Sequence, residues 1–243
     1  WSSCTPVHMK KGDVDEKLIL KSRVCYRWKP IDGGKRFKPK ARIVVAGFAD
    51  PHLPLLSRDA PVLARTTLVL IVQWAATFNV SLWNGDCKSA FLQGEPDTER
   101  PVCIYMKPPQ DDIARAAVPD WEDTNLYYQL TAPVYGQANA PRRWYLHVLR
   151  VLTELGWAQH TLDPCCFLQK RDGQVIAVLG VHVDDIVVAC LPGAEEHLEA
   201  LRGAFAWGSE WEKGNFIFVG RRIQRHEDGS YTMDQAHYVN EVS

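Results

Sequence analysis

The chain has 243 residues, of which 46% are hydrophobic and 23% charged, a balance that is ordinary for a globular protein of one large or two small domains. No apolar run approaches the roughly 18 residues that cross a bilayer, so we expect no membrane-spanning helix in this sequence and no membrane partner. Seven cysteines without a Cys-x-x-Cys spacing argue against a zinc site or a disulfide framework and favour a reducing compartment. The first residues show neither Met nor a signal-peptide pattern, so we expect a piece of a longer protein.

Charge is unevenly distributed along the chain, although the formal net charge is only -1. The first 48 residues contain twelve Lys/Arg against four Asp/Glu, and the rest contains sixteen against twenty-five. This asymmetry fits an anionic partner bound by one lobe of the protein. A basic surface or arm that meets only solvent explains the same distribution.

The N-terminal region predicts a basic β-hairpin. Its first strand is expected over Leu18–Trp28 and ended by Pro30, with Asp32-Gly33-Gly34 as the turn and Lys40–Ala46 as the second strand. Basic side chains cluster near the turn and on the return strand. They are Lys35, Arg36, Lys38, Lys40 and Arg42.

Two long helices are predicted. Arg65–Phe78 is apolar on most sides, so we expect it to be buried. Asn139–Leu155 has Asn139 as a possible cap, Pro141 in its first turn and Gly156 at its end. Its apolar stripe leaves three basic side chains largely off the buried face. These are Arg142, Arg143 and Arg150.

The other elements mix strands and helices without βαβ regularity, so the predicted class is α+β. The expected strands are Val80–Trp83, Val102–Met106, Cys166–Lys170, Val175–Val181, Phe216–Ile223 and Tyr231–Met233, with a helix over Ala194–Phe205 and another starting at the C-terminus.

Two adjacent carboxylates, Asp184 and Asp185, interrupt the apolar, β-branched run Val181–Val188. Within a buried strand one of them would face the core, where an unpaired carboxylate is costly. We therefore expect the pair at a hairpin tip, where a divalent cation would relieve its repulsion. A solvated turn is the alternative. A second pair of adjacent aspartates, Asp111-Asp112, serves as a comparison. It precedes an Ala-rich segment and predicts a helix N-terminus, where acidic side chains complement the helix dipole.

A polymerase-type site with two Mg²⁺ ions needs a third carboxylate from another strand. Asp86, shortly after Val80–Trp83, is the best candidate, and a turn aspartate after Asn84-Gly85 is the local alternative. Phe91 could lie under a nucleotide sugar and exclude a 2′-hydroxyl, or it could belong to the core. The basic hairpin could close on a triphosphate.

Eight short motifs together carry a resemblance. They are Lys40–Phe48, Ala60–Thr66, Asp86–Gly94, Ile104–Pro109, Tyr135-Gly136 with Ala140–Tyr145, Asp163-Pro164, Val183–Asp185 and Phe218–Gly220. In this order and spacing the chain, from about Leu18 to its end, resembles the reverse transcriptase domain of copia-type LTR retrotransposons. No single motif is specific, but the ordered set is.

The resemblance implies a right-hand polymerase with fingers and palm, an antiparallel palm sheet backed by helices, and a thumb that is largely absent. It assigns residues 1–80 to the fingers, 81–94 to the first part of the palm and 95–140 to the second part of the fingers. Residues 141–224 would be the second part of the palm with the catalytic hairpin, and 225–243 the start of the palm–thumb connection.

The resemblance also implies roles for single residues. Asp86, Asp184 and Asp185 would be the catalytic acids that bind two Mg²⁺ ions, for which Mn²⁺ could substitute; Asp86 and Asp184 would hold both ions, with Asp185 in support. The nucleotide-binding residues would be Lys40, Arg42, Ser89, Ala90, Phe91, Tyr135 and Gly136, with Phe91 as the gate against ribonucleotides. The primer-binding strand would contain Phe218, Val219 and Gly220.

The implied activity is that of an RNA-directed DNA polymerase acting on a dNTP, an RNA template and a DNA primer or template. Flanking integrase and RNase H regions of a polyprotein would be its partners, in a cytoplasmic virus-like particle or in the nucleus. A decayed or domesticated nucleic-acid-binding module is the alternative. A two-metal nuclease would explain the acids but neither Phe91 nor the basic hairpin.

Three departures from the family pattern bear on activity. His182 stands where a tyrosine is usual before Val-Asp-Asp. The usual Gly-Leu-Lys-Gln-Ala-Pro-Arg reads Gly-Gln-Ala-Asn-Ala-Pro-Arg over 136–142, which removes a lysine. The usual Asp-Leu-Gly before the primer-binding strand is replaced around Glu212-Lys213-Gly214.

Overall fold

The structure is a computed structural model that describes residues 3–10, 12–31, 35–236 and 239. The chain forms two compact units, the first from Trp1–Asp59 and Phe91–Leu146 and the second from Ala60–Ala90 and His147–Ser243. Strands and helices are mixed along the chain, which confirms the α+β class. The expected bounds of fingers and palm stay a prediction.

The described strands are β1 (Cys4–His8), β2 (Ile19–Leu20), β3 (Ser22–Ile31), β4 (Arg36–Val45), β5 (Leu82–Asp86), β6 (Tyr105–Met106), β7 (Leu126–Leu130), β8 (Ala158–Gln159), β9 (Cys166–Arg171), β10 (Gln174–His182), β11 (Asp185–Cys190), β12 (Glu212–Lys213), β13 (Asn215–Phe218), β14 (Arg221–Arg225) and β15 (Tyr231–Asp234). The described α-helices are α1 (Arg65–Thr77), α2 (Asp112–Ala117), α3 (Ala140–Glu154) and α4 (Glu195–Ala204). Among these residues no helix is long and apolar enough to cross a membrane.

The first unit contains a four-stranded sheet in the order β1-β7-β6-β2, in which β2 and β6 are parallel and the other pairs antiparallel. Its core is an apolar cluster against which Ile43 of β4 packs. The cluster comprises Cys4, Leu20, Val45, Ile104, Met106 and Val134. Asp111 caps α2 by accepting the Ala114 N–H at 2.8 Å, which confirms the structural role predicted for the Asp111-Asp112 pair.

Strands β3 and β4 form a separate two-stranded ribbon of ten residue pairs, from Ser22 opposite Val45 to Ile31 opposite Arg36. The predicted hairpin is confirmed, but β3 continues through Pro30, where it was expected to stop. Each strand of a ribbon has an outer edge, where a proline removes no ladder hydrogen bond. The predicted turn at 32–34 lies outside the described residues.

The second unit is built on a six-stranded antiparallel sheet in the order β12-β5-β11-β10-β9-β8. Consecutive residues Ile186 and Val187 of β11 are both fully buried, so both faces of this strand are covered. Helix α4 contacts β11, and α1 contacts β10. At Gly180 a Cβ would lie 2.9 Å from Ile71 of α1, so glycine permits this close approach. An antiparallel sheet packed by helices agrees with the prediction.

Three local predictions are wrong. Helix α1 is not buried all round, because Leu70 is 66% exposed. The run Phe216–Ile223 is not one strand but the hairpin β13–β14, since Val219 and Gly220 have φ angles of 50° and 70° and form its turn. Arg143 lies on the buried side of α3, where its Nε donates to the Glu95 carbonyl at 3.2 Å. The helix expected at the C-terminus falls largely outside the described residues.

Candidate active site

Asp86 and Asp185 face each other across two neighbouring strands. β5 runs through Asn84 and Gly85 and ends at Asp86, and β11 begins at Asp185, its register partner. Directly opposed residues of an antiparallel pair point to the same face, with Cβ atoms about 4.5–5.5 Å apart. The alternative of a turn aspartate after Asn84-Gly85 is therefore wrong, because both of those residues belong to the strand.

The hairpin that carries the adjacent aspartates turns at Val183 and Asp184. His182 and Asp185 are its last register pair, so the expected position at a hairpin tip is confirmed. Val183 has a φ of 57°, which is strained for a β-branched residue and typically costs about 1–3 kcal/mol. The Cys87 N–H donates to the Asp184 carbonyl at 2.7 Å and fixes the turn against the chain that follows β5.

The buried thiol of Cys87 lies within the electrostatic influence of all three carboxylates. Burial is the main cause that raises its pKa, and the negative charges of Asp86, Asp184 and Asp185 raise it further. A thiol tolerates this position because its neutral form adds no fourth negative charge. The three acids singled out from the sequence therefore lie in the same region of the second unit, at the end of β5 and the tip of the β10–β11 hairpin.

Two indole rings pack against the strand that ends at Asp86. A Cβ added to Gly85 would lie 2.7 Å from Trp211 and 2.8 Å from Trp207, so this position requires glycine. The Gly208 N–H also donates to the Asp86 carbonyl at 2.7 Å. Trp207, Gly208 and Trp211 were not predicted from the sequence. The sequence shows two tryptophans shortly after a predicted helix, which indicates apolar packing there. Their spacing does not predict which strand they pack against.

His182, which replaces the usual tyrosine, is half-buried and lies on the same face as its partner Asp185. Its ring meets the ring of Phe218 edge to face, with the ring centres 6.5 Å apart. Phe218 ends β13 immediately before the turn at Val219 and Gly220. The hairpin with the predicted primer-binding residues therefore contacts the hairpin with the aspartates.

Four of the predicted nucleotide-binding residues meet in the first unit. The guanidinium carbon of Arg42 lies 5.1 Å from the ring centre of Tyr135. The ring centre of Phe91 lies 5.8 Å from the same Tyr135 ring centre. The Tyr135 carbonyl accepts the Val45 N–H at 2.9 Å, and Gly136 approaches β4 so closely that a Cβ there would clash with the Val45 carbonyl. Together they form a cluster of one cation and two aromatic rings.

The other three predicted nucleotide-binding residues are Lys40 in the first unit and Ser89 and Ala90 in the second. Lys40 is exposed on β4, two residues before Arg42 and on the same face. Ser89, exposed with a φ of 51°, and the buried Ala90 follow Asp86 in the second unit. The structure thus divides the predicted set between the two units.

The altered segment before α3 has structural partners of its own. The side-chain carbonyl of Gln137 accepts the Val134 N–H at 2.8 Å. The side-chain amide of Asn139 donates to Asp97. Both side chains are buried. Gln137 and Asn139 therefore both hold the segment that leads into α3 through side-chain hydrogen bonds.

The donor set suits a hard divalent cation, because carboxylate oxygens are the ligands that Mg²⁺ prefers. Within the described ranges no three His, Cys, Asp or Glu side chains are grouped so that they could hold an ion by themselves. Mg²⁺ is commonly bound by one or two carboxylates together with substrate phosphates, so the opposed Asp86 and Asp185 fit such a site.

The family follows from sequence comparison. The family model described as "Reverse transcriptase (RNA-dependent DNA polymerase)" matches residues 11–243. The chain therefore belongs to the reverse transcriptase family, and the resemblance drawn from its motifs is confirmed.

The curated relatives are Pol polyproteins of plant transposons. The chain is 26% identical over 184 residues to "Retrovirus-related Pol polyprotein from transposon TNT 1-94" of Nicotiana tabacum, covering 75% of this chain and 13% of that protein. It is 28% identical over 171 residues to the polyprotein from transposon RE1 of Arabidopsis thaliana, covering 70% and 11%. The chain thus spans about a tenth of the length of these relatives.

Two telomerase structures show a distant similarity. Apo telomerase from Candida tropicalis, truncated from its C-terminal domain, aligns over 94% of this chain and 57% of its own, with a TM-score of 0.44 and 8% identity. Telomerase from Candida albicans in complex with a telomeric RNA fragment aligns over 93% and 48%, with a TM-score of 0.43 and 8% identity. The family assignment depends on the sequence matches alone.

Proposed function

We propose that this chain is a working RNA-directed DNA polymerase that adds deoxynucleotides to a primer 3′-hydroxyl on an RNA or DNA template. The observation that carries the proposal is the opposition of Asp86 and Asp185 in register, with Asp184 in the adjoining turn.

The reaction would join the primer 3′-oxygen to the α-phosphorus of a dNTP and release pyrophosphate. When bound by Asp86, Asp184 and Asp185, two Mg²⁺ ions would supply neutralisation of the triphosphate and a lower pKa for the primer hydroxyl. The chain itself contributes the carboxylate oxygens as ligands. The backbone at Asp86 and Asp184 is already fixed, because the carbonyls of these two residues accept hydrogen bonds from Gly208 and Cys87. Ligands fixed in advance need little rearrangement during the reaction.

The cluster of Arg42, Tyr135 and Phe91 is the proposed nucleotide subsite of the first unit. The guanidinium of Arg42 donates to the triphosphate, with Lys40 adding a second positive charge. Phe91, held against Tyr135, excludes the 2′-hydroxyl of a ribonucleotide. Phe91→Ala should incorporate ribonucleotides that the parent chain rejects, whereas Phe91→Tyr should keep the discrimination. Equal discrimination by Phe91→Ala and the parent would remove Phe91 from this role.

The second unit would hold the remaining contacts. The backbone N–H groups of Ser89 and Ala90 face the phosphates in this proposal, and Phe218, Val219 and Gly220 contact the primer end. A hairpin tip suits that role better than a strand, since its turn leaves backbone groups free of ladder hydrogen bonds. In its parent polyprotein the domain would act beside integrase and RNase H regions, in a cytoplasmic virus-like particle or in the nucleus.

The test is single-nucleotide extension of a DNA primer on an RNA template with Mg²⁺. Asp86→Asn and Asp184→Asn should each slow incorporation by about 10²- to 10³-fold, the loss typical for removing a group that stabilises transition-state charge. Asp112→Asn, an exposed acid on α2, is the matched control and should extend at the parental rate.

Parental extension by Asp184→Asn would contradict the catalytic assignment. A parent chain that binds primer–template but never extends it would instead support a non-catalytic binding module. Cleavage of the template without extension would point to a nuclease.

A further inference from the structure

The segment that follows α4 runs along the outer edge of β5 and forms a bulge there. Trp207 is bridged to Cys87, and further along β12 pairs Glu212 with Asn84. Between these two pairs the outer segment has four residues where β5 has two. Bulges bend an edge strand and are over-represented next to active sites. We call residues 208–211 the edge bulge.

Gly208, the first residue of the edge bulge, lies directly opposite Asp86. Trp207 is paired with Cys87, so the next residue of the outer segment faces the preceding residue of β5. The Gly208 N–H accordingly donates to the Asp86 carbonyl at 2.7 Å. Directly opposed residues share a face of the sheet. A row of opposed positions therefore crosses four neighbouring segments on one face, and it consists of His182, Asp185, Asp86 and Gly208.

The carboxylate of Asp86 occupies the space that a side chain at Gly208 would fill. A Cβ added to Gly208 would lie 2.6 Å from Asp86 Oδ2, well inside the 3.4 Å at which ordinary van der Waals contact begins. Gly208 is exposed, and its φ angle lies outside the left-handed region that favours glycine. The requirement for glycine at this position therefore comes from the carboxylate and not from the backbone conformation.

The position of Asp185 explains why the Asp86 carboxylate lies toward the edge of the sheet. The Cys87 N–H donates to the Asp184 carbonyl, which makes the opposed Asp86 and Asp185 a pair without hydrogen bonds of its own. In such pairs the Cα atoms are only about 4.5 Å apart and the side chains are closer than in hydrogen-bonded pairs. Two carboxylates at that separation repel each other. Gly208 therefore sets how far outward the Asp86 carboxylate can move.

Two indole rings hold the edge bulge in place. Next to its start, the Trp207 Nε1–H donates to the Arg202 carbonyl in the last turn of α4 at 2.7 Å. At its end, the Trp211 ring meets the Trp207 ring edge to face with the ring centres 4.6 Å apart, and the guanidinium carbon of Arg202 lies 5.5 Å from the Trp211 ring centre. Both rings also pack against Gly85. A side chain added at Gly208 would therefore displace the carboxylate rather than the bulge.

We propose that Gly208 is a positioning residue, which sets the place of the Asp86 carboxylate and thereby the affinity of this carboxylate for a divalent cation. The inference rests on the proposed function for the role of Asp86 and deepens it by adding a residue that acts through Asp86. With alanine at 208, Asp86 Oδ2 would have to move by about 0.8 Å, the difference between 3.4 and 2.6 Å. Catalytic groups have to be held within about 0.5 Å of the productive geometry, and a misplacement of about 1 Å can cost 10²-fold in rate.

The first test measures the contact between Gly208 and Asp86 and requires no activity. Urea unfolding of Gly208→Ala should show a lower midpoint than the parent chain. In the Asp86→Ala background the same substitution should leave the midpoint unlowered, because the carboxylate that the new methyl group meets is gone. If Gly208→Ala does not fold, the double variant Asp86→Ala/Gly208→Ala should still fold. An equal loss in both backgrounds, or failure of both variants to fold, overturns the proposal.

The second test measures the cation directly. Mn²⁺ binding to the full chain without nucleotide is followed by electron paramagnetic resonance, and the component lost in Asp86→Ala identifies the site. Gly208→Ala should weaken this component by about 10- to 100-fold, the range for losing a residue that orients a metal ligand. It should slow primer extension by a similar factor while primer–template affinity stays unchanged. Gly203→Ala adds the same methyl group on α4, where it meets open space, and should keep both parental values.

Parental Mn²⁺ affinity in Gly208→Ala overturns the positioning role, even if the variant is less stable. Primer extension by the parent chain separates this role from the proposed function. If the parent does not extend a primer but the unfolding and Mn²⁺ measurements agree with the prediction, only the polymerase is refuted. If the parent extends a primer and Gly208→Ala extends it at the same rate, only the positioning role is refuted.

Discussion

The end of β5 and the β3–β4 ribbon are built in opposite ways. Around Asp86 the backbone is fixed by packed indoles and by a hydrogen bond from Gly208, and the neighbouring β11 is covered on both faces. The ribbon pairs only with itself in its sheet and exposes rings on one face and cations on the other. The end of β5 therefore has a backbone fixed by packing, whereas the ribbon has exposed side chains on both faces.

The two regions differ in how they are packed. Burial and close packing can hold carboxylates within a fraction of an ångström of a required geometry. Exposed cations and rings can meet a partner through charge and flat apolar surface without a fixed geometry. Substitutions in the packed strand β11 should therefore lower the free energy of unfolding strongly. Substitutions of exposed side chains on the ribbon should change it little.

The largest difference in stability is expected between Ile186 and Trp28. Ile186 is fully buried on β11, so Ile186→Ala should lower the free energy of unfolding by about 2–5 kcal/mol through lost burial and a cavity. Trp28→Leu on the ribbon should change it by no more than about 0.5 kcal/mol. Urea unfolding followed by circular dichroism measures both. An equal loss in the two variants would mean that the ribbon is part of the folded core.

A smaller effect separates two glycines of the second unit. Gly85→Ala forces a Cβ into the indoles of Trp207 and Trp211 and should cost about 1–3 kcal/mol, with slower extension because Asp86 is adjacent. Gly203 lies in α4, where an added Cβ would meet open space, so Gly203→Ala should stabilise the chain by about 0.5–1 kcal/mol. Unfolding midpoints of the two variants should move in opposite directions. A tolerated alanine at Gly85 would show that the indoles do not fix this strand.

The smallest perturbation is chemical labelling of two cysteines. Burial and the three carboxylates raise the pKa of Cys87, so its thiol stays protonated at about pH 8.5, where an ordinary cysteine is half ionised. Cys25, half-exposed on the basic face of the ribbon, should react with iodoacetamide under these conditions while Cys87 does not. Mass spectrometry of the native chain measures the two rates. Rapid labelling of Cys87 would contradict the buried position beside the aspartates.

Sequence reasoning located the parts of the site that depend on local pattern. A β-branched run broken by two acids can be accommodated at a hairpin tip, and Asp184 and Asp185 were found there. Local pattern could not show that Asn84 and Gly85 are strand, because Asn-Gly usually marks a turn. Here the register with β11 and the packing of Trp211 on Gly85 override that preference.

Two further local predictions were also wrong. The turn at Val219 and Gly220 interrupts a run whose β-branched residues favour one continuous strand, and Val219 adopts a positive φ that its side chain disfavours. Arg143 was placed off the buried stripe of α3 by periodicity, yet the Glu95 carbonyl gives it a buried partner. The Arg143 case was decided by a contact with a segment that is distant in sequence.

The most direct test of the account is single-turnover incorporation by Asp185→Asn at saturating primer–template. The resemblance gave Asp185 only a supporting role, whereas the register sets it directly opposite Asp86. We predict a rate about 10²- to 10³-fold below the parent, with unchanged affinity for primer–template. Incorporation at the parental rate would contradict the assignment of the opposed pair as the centre of catalysis.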